Sequence, residues 1–156
     1  MIEERERGTY IAIGANEMTV LLSREETDGA FSVSEYVVPP DGSAPPVHRH
    51  ERTTEVFHVL DGTFEYTVDG DSHEATAGRT VVIWPGTPHT FAVPESAPVR
   101  LLLFIAPASL EGYFRDLGRY EEVLRPPPID MDRLGDAAVS LCESYDQTIV
   151  DPEDTE

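Results

Sequence analysis

The sequence contains no lysine: its 11 basic residues are all arginine, set against 30 acidic residues, for a formal charge of −19 and an isoelectric point near 4.4. A field of that sign repels phosphate backbones and anionic lipid surfaces, because binding to either draws on Lys and Arg to displace counterions. Neither nucleic acid nor a membrane is therefore expected as a partner. Cysteine occurs once, as Cys142, so no intrachain disulfide can form and nothing argues for an oxidising compartment; a buried, inert thiol is expected. No apolar run approaches the roughly 20 residues of a membrane span. The opening stretch MIEERERG is charged throughout, so no signal peptide is expected either, and the expected location is cytoplasmic. Acid excess without lysine fits a high-salt cytoplasm, where dense carboxylates hold hydration and the Debye length falls to roughly 3 Å at 1 M salt. A genome that favours Arg over Lys gives the same bias, and composition leaves both readings open.

With 156 residues and no second block of composition, one domain is expected. Its chemistry concentrates in residues 42–62, GSAPPVHRHERTTEVFHVLDG, which set His48, His50 and Glu55 between two glycines. His48 and His50 are two apart, so on an extended segment both imidazoles leave one face. Pro39, Pro40, Pro45 and Pro46 forbid a helix before them and stiffen the approach. From Thr54 to Leu60, Glu55, Phe57 and Val59 share one face while Val56, His58 and Leu60 share the other.

Short apolar runs separated by turn residues fill the rest of the first two-thirds: YIAIG, MTVLLS, AFSVSEYVV, then TFEYTV between Asp61-Gly62 and Asp69-Gly70, then TVVIW, HTFAV and the apolar run Arg100 to Ile105. These are antiparallel strands and hairpins at the spacing of a sandwich or barrel. The last run reads as a strand buried on both faces. After Pro107 the period becomes helical, with Leu110, Tyr113, Phe114 and Leu117 on one stripe and Ser109 placed as an N-cap. Pro126, Pro127 and Pro128 end that helix, and a second from Asp130 shows Met131, Leu134, Ala138, Leu141 and Tyr145 on one face. The expected organisation is a β unit over 1–106 with its motif core at 42–93, a helical extension over 107–150 packed on it, and an acidic tail over 151–156.

Another histidine, His89, follows the turn Pro85-Gly86-Thr87-Pro88 and alternates with Phe91 and Val93. Gly42-x5-His48-x-His50-x4-Glu55-x6-Gly62 resembles the first motif of the cupin superfamily in every position and spacing. Gly78, Gly86 and His89 match the second, G-x5-P-x-G-x2-H-x3-N, which is departed from at Trp84 and Val93. The resemblance covers roughly residues 30 to 106. It implies an all-β fold, a small β-barrel of two antiparallel sheets in jelly-roll form with two C-terminal helices. It also implies that His48, His50, Glu55 and His89 point inward to one divalent transition metal ion, with Fe, Mn, Ni, Co, Cu and Zn all compatible.

Within that superfamily EVFHVLDGTFEY, RLLLFIAP and EGYFRDLG are similar to bacterial quercetin dioxygenase-like proteins of one domain. That likeness implies a dioxygenase acting on a small enolic or phenolic compound, with Glu55 as the base and Phe57, Val59, Phe64, Tyr66, Phe91 and Leu102 as an apolar substrate pocket. A non-catalytic metal- or small-molecule-binding module and a metal-dependent isomerase or lyase are the rival functions. A homodimer is expected from exposed sheet edges and from the resemblance. His58 is expected to serve packing or an interface and His73 to be solvated in a polar turn. Trp84 is expected in the core, and Arg49 and Arg52 in exposed ion pairs. The high-salt reading predicts a urea unfolding midpoint that rises between low and molar KCl; equal stability in the two removes it.

Overall fold

The computed structural model describes residues 8–124, 131–142 and 144–151. The charged N-terminal stretch, the Pro126–Pro128 break, the helix start at Asp130 and nearly all of the acidic tail lie outside the described residues. Eleven strands and two helices are described: β1 (Thr9–Ile13), β2 (Asn16–Leu22), β3 (Ser32–Val38), β4 (His48–Arg49), β5 (Thr54–Asp61), β6 (Thr63–Val68), β7 (Asp71–Thr76), β8 (Thr80–Ile83), β9 (His89–Phe91), β10 (Val99–Ala106), α1 (Glu111–Leu124), α2 (Met131–Cys142) and β11 (Thr148–Ile149). They form a six-stranded sheet in the order β1-β2-β3-β10-β5-β8 and a five-stranded sheet in the order β11-β4-β9-β6-β7. Every pairing is antiparallel. The expected all-β jelly roll with two helices is thus present. Among the described residues, though, hydrogen bonding does not close the sheets into one barrel; they face each other as two layers.

Side-chain alternation puts the core between those layers. On β5 Glu55, Phe57 and Val59 are buried and their neighbours half-buried, and the register pairs Val59 with Leu101 and Phe57 with Leu103 of β10. Val38, Val59 and Leu101 are fully buried. Burial at that level is worth roughly 1.5–3 kcal/mol per side chain, whereas an exposed pair such as Arg100–Glu35 at 3.7 Å is worth about 0–1 kcal/mol. Packing between the sheets, not surface charge pairing, holds the fold.

The structure corrects several local expectations. SHEAT is not a polar turn but most of β7, and His73 stacks on Tyr66 across the β6–β7 ladder, with ring centroids 5.3 Å apart. β7 is an edge strand of its sheet, exposed along its length except at Ala75, to which its apolar signal reduces. Trp84, expected in the core, is 66% exposed beyond the end of β8. Ser109 does not cap α1; its hydroxyl pairs with that of Thr53 at 2.5 Å. What fastens the helix start instead is the buried Glu111, whose carboxylate accepts from the Arg24 N–H at 2.6 Å and pairs with Arg115 at 2.6 Å. The extension after residue 106 is not helical throughout, because β11 adds an edge strand to the second sheet. Cys142 is buried as expected, its thiol donating to the Ala138 carbonyl at 3.2 Å, and burial pushes its pKa up.

Two glycines of the 42–62 stretch have a steric reason. A Cβ on Gly42 would lie 2.3 Å from Oδ1 of Asn16, which accepts from the Ser43 N–H at 3.1 Å. Through Nδ2 the same buried Asn16 donates to the Ser43 carbonyl and to the Tyr36 hydroxyl, both at 2.8 Å, so it clamps the proline-rich approach onto β2 and β3. Gly62 has φ of +81°, and a Cβ there would lie 2.6 Å from the Pro98 carbonyl oxygen, a backbone atom that cannot swing aside. Gly62→Ala is therefore predicted to lower stability by about 1–3 kcal/mol, read as a lower urea midpoint.

Candidate metal centre

Four side chains, from β4, the loop after it, β5 and β9, meet between the sheets. His48 stands on β4, His50 follows it in the loop to β5, Glu55 opens the buried face of β5, and His89 starts β9 directly opposite His48 in register. All four are buried, and one potential ligand atom from each lies within 4.8 Å of the others. The period-two argument for His48 and His50 holds: their rings lie on one face, with centroids 4.9 Å apart, and His89 is 4.4 Å from His48.

The hydrogen bonds determine which nitrogen each imidazole presents. Nδ1 of His48 lies 3.0 Å from the Pro46 carbonyl, Nδ1 of His50 is 2.7 Å from the Asp146 carbonyl, and Nδ1 of His89 is 2.9 Å from the Thr87 carbonyl. A carbonyl only accepts, so each Nδ1 carries the proton and each neutral ring keeps a lone pair on Nε2. Those Nε2 atoms face the Glu55 carboxylate, with His89 at 3.0 Å and His50 at 3.2 Å from the same oxygen, Oε2. The His50 contact is close enough for attraction but not aligned as a hydrogen bond, and its buried Nε2 has no hydrogen-bond partner. Lone pairs aimed at a carboxylate in a dry interior need a cation between them, either a proton or a metal ion. Three imidazoles and one carboxylate, oriented by carbonyls on their far sides, fit a divalent transition metal.

The protonation preferences have the same origin. Burial would push the Glu55 carboxyl up, but the His50 and His89 imidazoles against its Oε2 favour the charged carboxylate, outweigh burial and hold the group well below the usual carboxylate range. For His50, burial opposes a charge, and the Glu55 carboxylate overcomes that and raises its pKa. At His48, burial wins and, with His89 beside it, lowers the pKa to about 4.

A cavity of about 330 Å³ opens onto these groups, with His48, Glu55 and His89 in its wall. Ile13, Phe57, Phe91, Leu103, Phe114 and Leu117 make its apolar lining, and Tyr36, Asn16 and Gln147 add polar atoms. Burial raises the Tyr36 phenol to about 12 despite the hydrogen bond it accepts from Asn16, so it remains a proton donor. Of the six side chains expected to line a pocket, Phe57 and Phe91 do so here. Val59, Phe64 and Tyr66 share the inner face but lie outside the lining: Phe64 packs behind Phe57 with centroids 5.0 Å apart, and Tyr66 stacks on Phe64. Leu102 points out of the opposite face of β10, opposite His58 and Glu35, and Leu103 takes the inward place. An apolar run on both faces carries no parity signal, so only the register with β5 decides between them. Sequence reasoning also missed Tyr36, Asn16, Gln147 and the α1 and α2 residues of the wall, which come from remote segments. His58 is off this face, as expected, with Nδ1 2.8 Å from the Thr80 hydroxyl.

Two facing antiparallel sheets that aim three imidazole nitrogens and a carboxylate at one point define a metal-site jelly roll. Residues 34–105 match the family model of the cupin domain. It is 27% identical over 136 residues to quercetin 2,3-dioxygenase of Bacillus subtilis, covering 84% of this chain and 40% of that protein. It is 32% identical over 71 residues to an uncharacterized protein of Methanocaldococcus jannaschii, covering 46% of this chain and 56% of that one. The chain thus spans about half, or less, of the length of these curated relatives. Among solved structures, the polyketide cyclase RemF from Streptomyces resistomycificus is similar with a TM-score of 0.59 at 23% identity, over 69% of this chain and 80% of that chain, a likeness of fold alone. Among the described residues no helix is long and apolar enough to cross a membrane.

The pKa shifts separate by pH window in protein stripped with a chelator. His48 is depressed in the folded state, so the unfolded chain takes up its proton first as pH falls from about 6.5 to about 4, at a cost of about 3 kcal/mol. Below this window the contribution of Glu55 is lost as well, and that of His50 is lost only as pH rises above about 6.5. Metal-free stability is predicted to fall as pH is lowered from 6.5 to 4, and His48→Gln to flatten that slope, both read from urea midpoints.

Proposed function

We propose that this protein is a metal-dependent dioxygenase of the quercetinase-like kind, acting on a small enolic or phenolic compound. The observation that carries this reading is the cavity: its wall is mostly apolar, yet it ends on Glu55 and on two of the three imidazoles. Its volume suits a compact, hydrophobic ligand with one polar edge. The likeness to quercetin 2,3-dioxygenase supports the same substrate class. His48, His50, Glu55 and His89 would hold the ion, which supplies Lewis acidity toward an acidic hydroxyl oxygen of the substrate when bound.

The chain's own groups do the remaining work. Phe57, Phe91 and Leu103 pack against the substrate's apolar part and keep water from the polar end. Glu55, ionised at neutral pH, accepts or shares the hydroxyl proton at its carboxylate. Tyr36, protonated throughout the physiological range, donates to a substrate oxygen, and the Gln147 amide, whose buried Nε2 has no partner, offers a second donor in the same cavity. The reading takes the protein as a cytoplasmic homodimer of a high-salt cell.

Oxygen uptake tests it. Protein reconstituted in turn with Fe, Mn, Ni, Co, Cu and Zn and given a panel of flavonols is expected to consume O2 with at least one ion, and Glu55→Gln to lose at least about 100-fold of that rate. No uptake with any ion overturns the dioxygenase in favour of a non-oxidative cupin.

A further inference from the structure

Of the three imidazoles, two are oriented from within their own turn: His48 by the carbonyl two residues before it and His89 likewise. His50 is the exception. Its Nδ1 donates to the carbonyl of Asp146, 96 residues away in sequence. Residues 50–53 lie between β4 and β5, so strand pairing does not hold this loop. The Asp146 carboxylate does: Oδ1 accepts from the Glu51 N–H at 3.2 Å, and Oδ2 accepts from the Arg52 N–H at 3.1 Å and from the Thr53 hydroxyl at 2.5 Å. One residue thus orients the ring through its backbone and gathers three consecutive donors through its side chain.

The segment that carries Asp146 is fastened on both sides. Thr148 and Ile149 pair with Arg49 and His48 on β4, and the Val150 N–H donates to the Val47 carbonyl at 2.9 Å. Tyr145 lies against Gly112 of α1, where an added Cβ would come 2.5 Å from its ring, and its hydroxyl donates to the Asp116 carboxylate. Gln147, between Asp146 and the strand, turns its side chain to the cavity.

We propose that residues 144–150 form a strap that completes the metal centre, and that Asp146 is the positioning residue that latches it to the His50 loop. This rests on the reading of the four-residue cluster as a metal site. Charge-assisted hydrogen bonds from one carboxylate to three donors are strong, and a carbonyl behind a ligating imidazole sets its direction. Loss of the carboxylate frees the loop and the carbonyl together, so His50 no longer holds its place. By reciprocity, an ion that needs the latched geometry also tightens the strap.

The test is Zn2+ affinity of the full chain, measured by competition with a chromophoric chelator. Asp146→Ala is expected to weaken binding about 10- to 100-fold, with Asp146→Asn and Thr53→Val falling between it and the parent. Gly62→Ala, destabilised away from the strap, is expected to keep the parent affinity, which separates positioning from general loss of stability. Added Zn2+ is expected to slow hydrogen–deuterium exchange over residues 144–150 in the parent and not in Asp146→Ala. Parent-like affinity in a folded Asp146→Ala overturns the proposal. If that variant does not fold, parent-like affinity in Thr53→Val does so. A parent protein that binds no Zn2+, Co2+ or Ni2+ refutes the metal reading itself, and the strap's role with it.

Discussion

Three imidazoles and a carboxylate, buried together with ring nitrogens and carboxylate oxygens converging, are the constraint around which this structure is built. In water such groups would cost nothing to leave apart. Between two apolar sheets they are tolerable only with a positive species among them, and the carbonyls behind each ring prevent the rings from turning away to find other partners. The site is therefore a commitment of the whole fold: the sheets must exclude water for the cluster to matter, and they must also hold it against its own repulsion.

Different physical devices hold each member. His48 is set by a proline-stiffened approach that Asn16 clamps to the neighbouring sheet, and by pairing with β9. His89 follows a tight turn whose Gly86 N–H donates to the His50 carbonyl at 2.7 Å, tying the second hairpin to the first histidine pair. Glu55 is locked by strand parity on β5, with β10 and β8 on either side. His50 depends on a segment nearly a hundred residues away. The cavity follows from the same arrangement, since the C-terminal segment that supplies Gln147 and Ile149 to its wall also carries Asp146, which braces the loop after His50.

Much of this was legible in the chain. The spacing of His48, His50 and Glu55 between glycines, the proline approach and the turn before His89 are local features, and local geometry carries them into the fold unchanged. The strands from β1 to β6 were legible because their apolar residues alternate or are bounded by turn residues. The failures are as instructive. β7 is a solvent-facing edge with too few apolar residues to alternate, so it read as a turn. Trp84 read as core because large aromatic side chains usually are, yet it lies past the last buried residue of β8. Leu102 and Leu103 were indistinguishable because a strand apolar on both sides has no parity of its own.

What the sequence by itself determined is which four side chains could meet in one cluster and the two-sheet class, since each depends on residue identity and short spacing. Tertiary structure alone decided which face of β10 looks inward, which atoms wall the cavity and what orients His50. Those depend on strand register and on contacts spanning 93 to 96 residues, from Asp146 to Thr53 and to His50. A single carboxylate in an acidic C-terminal segment, in a chain with 30 acidic residues, carries no local sign that it will be the one to close on the ligand loop.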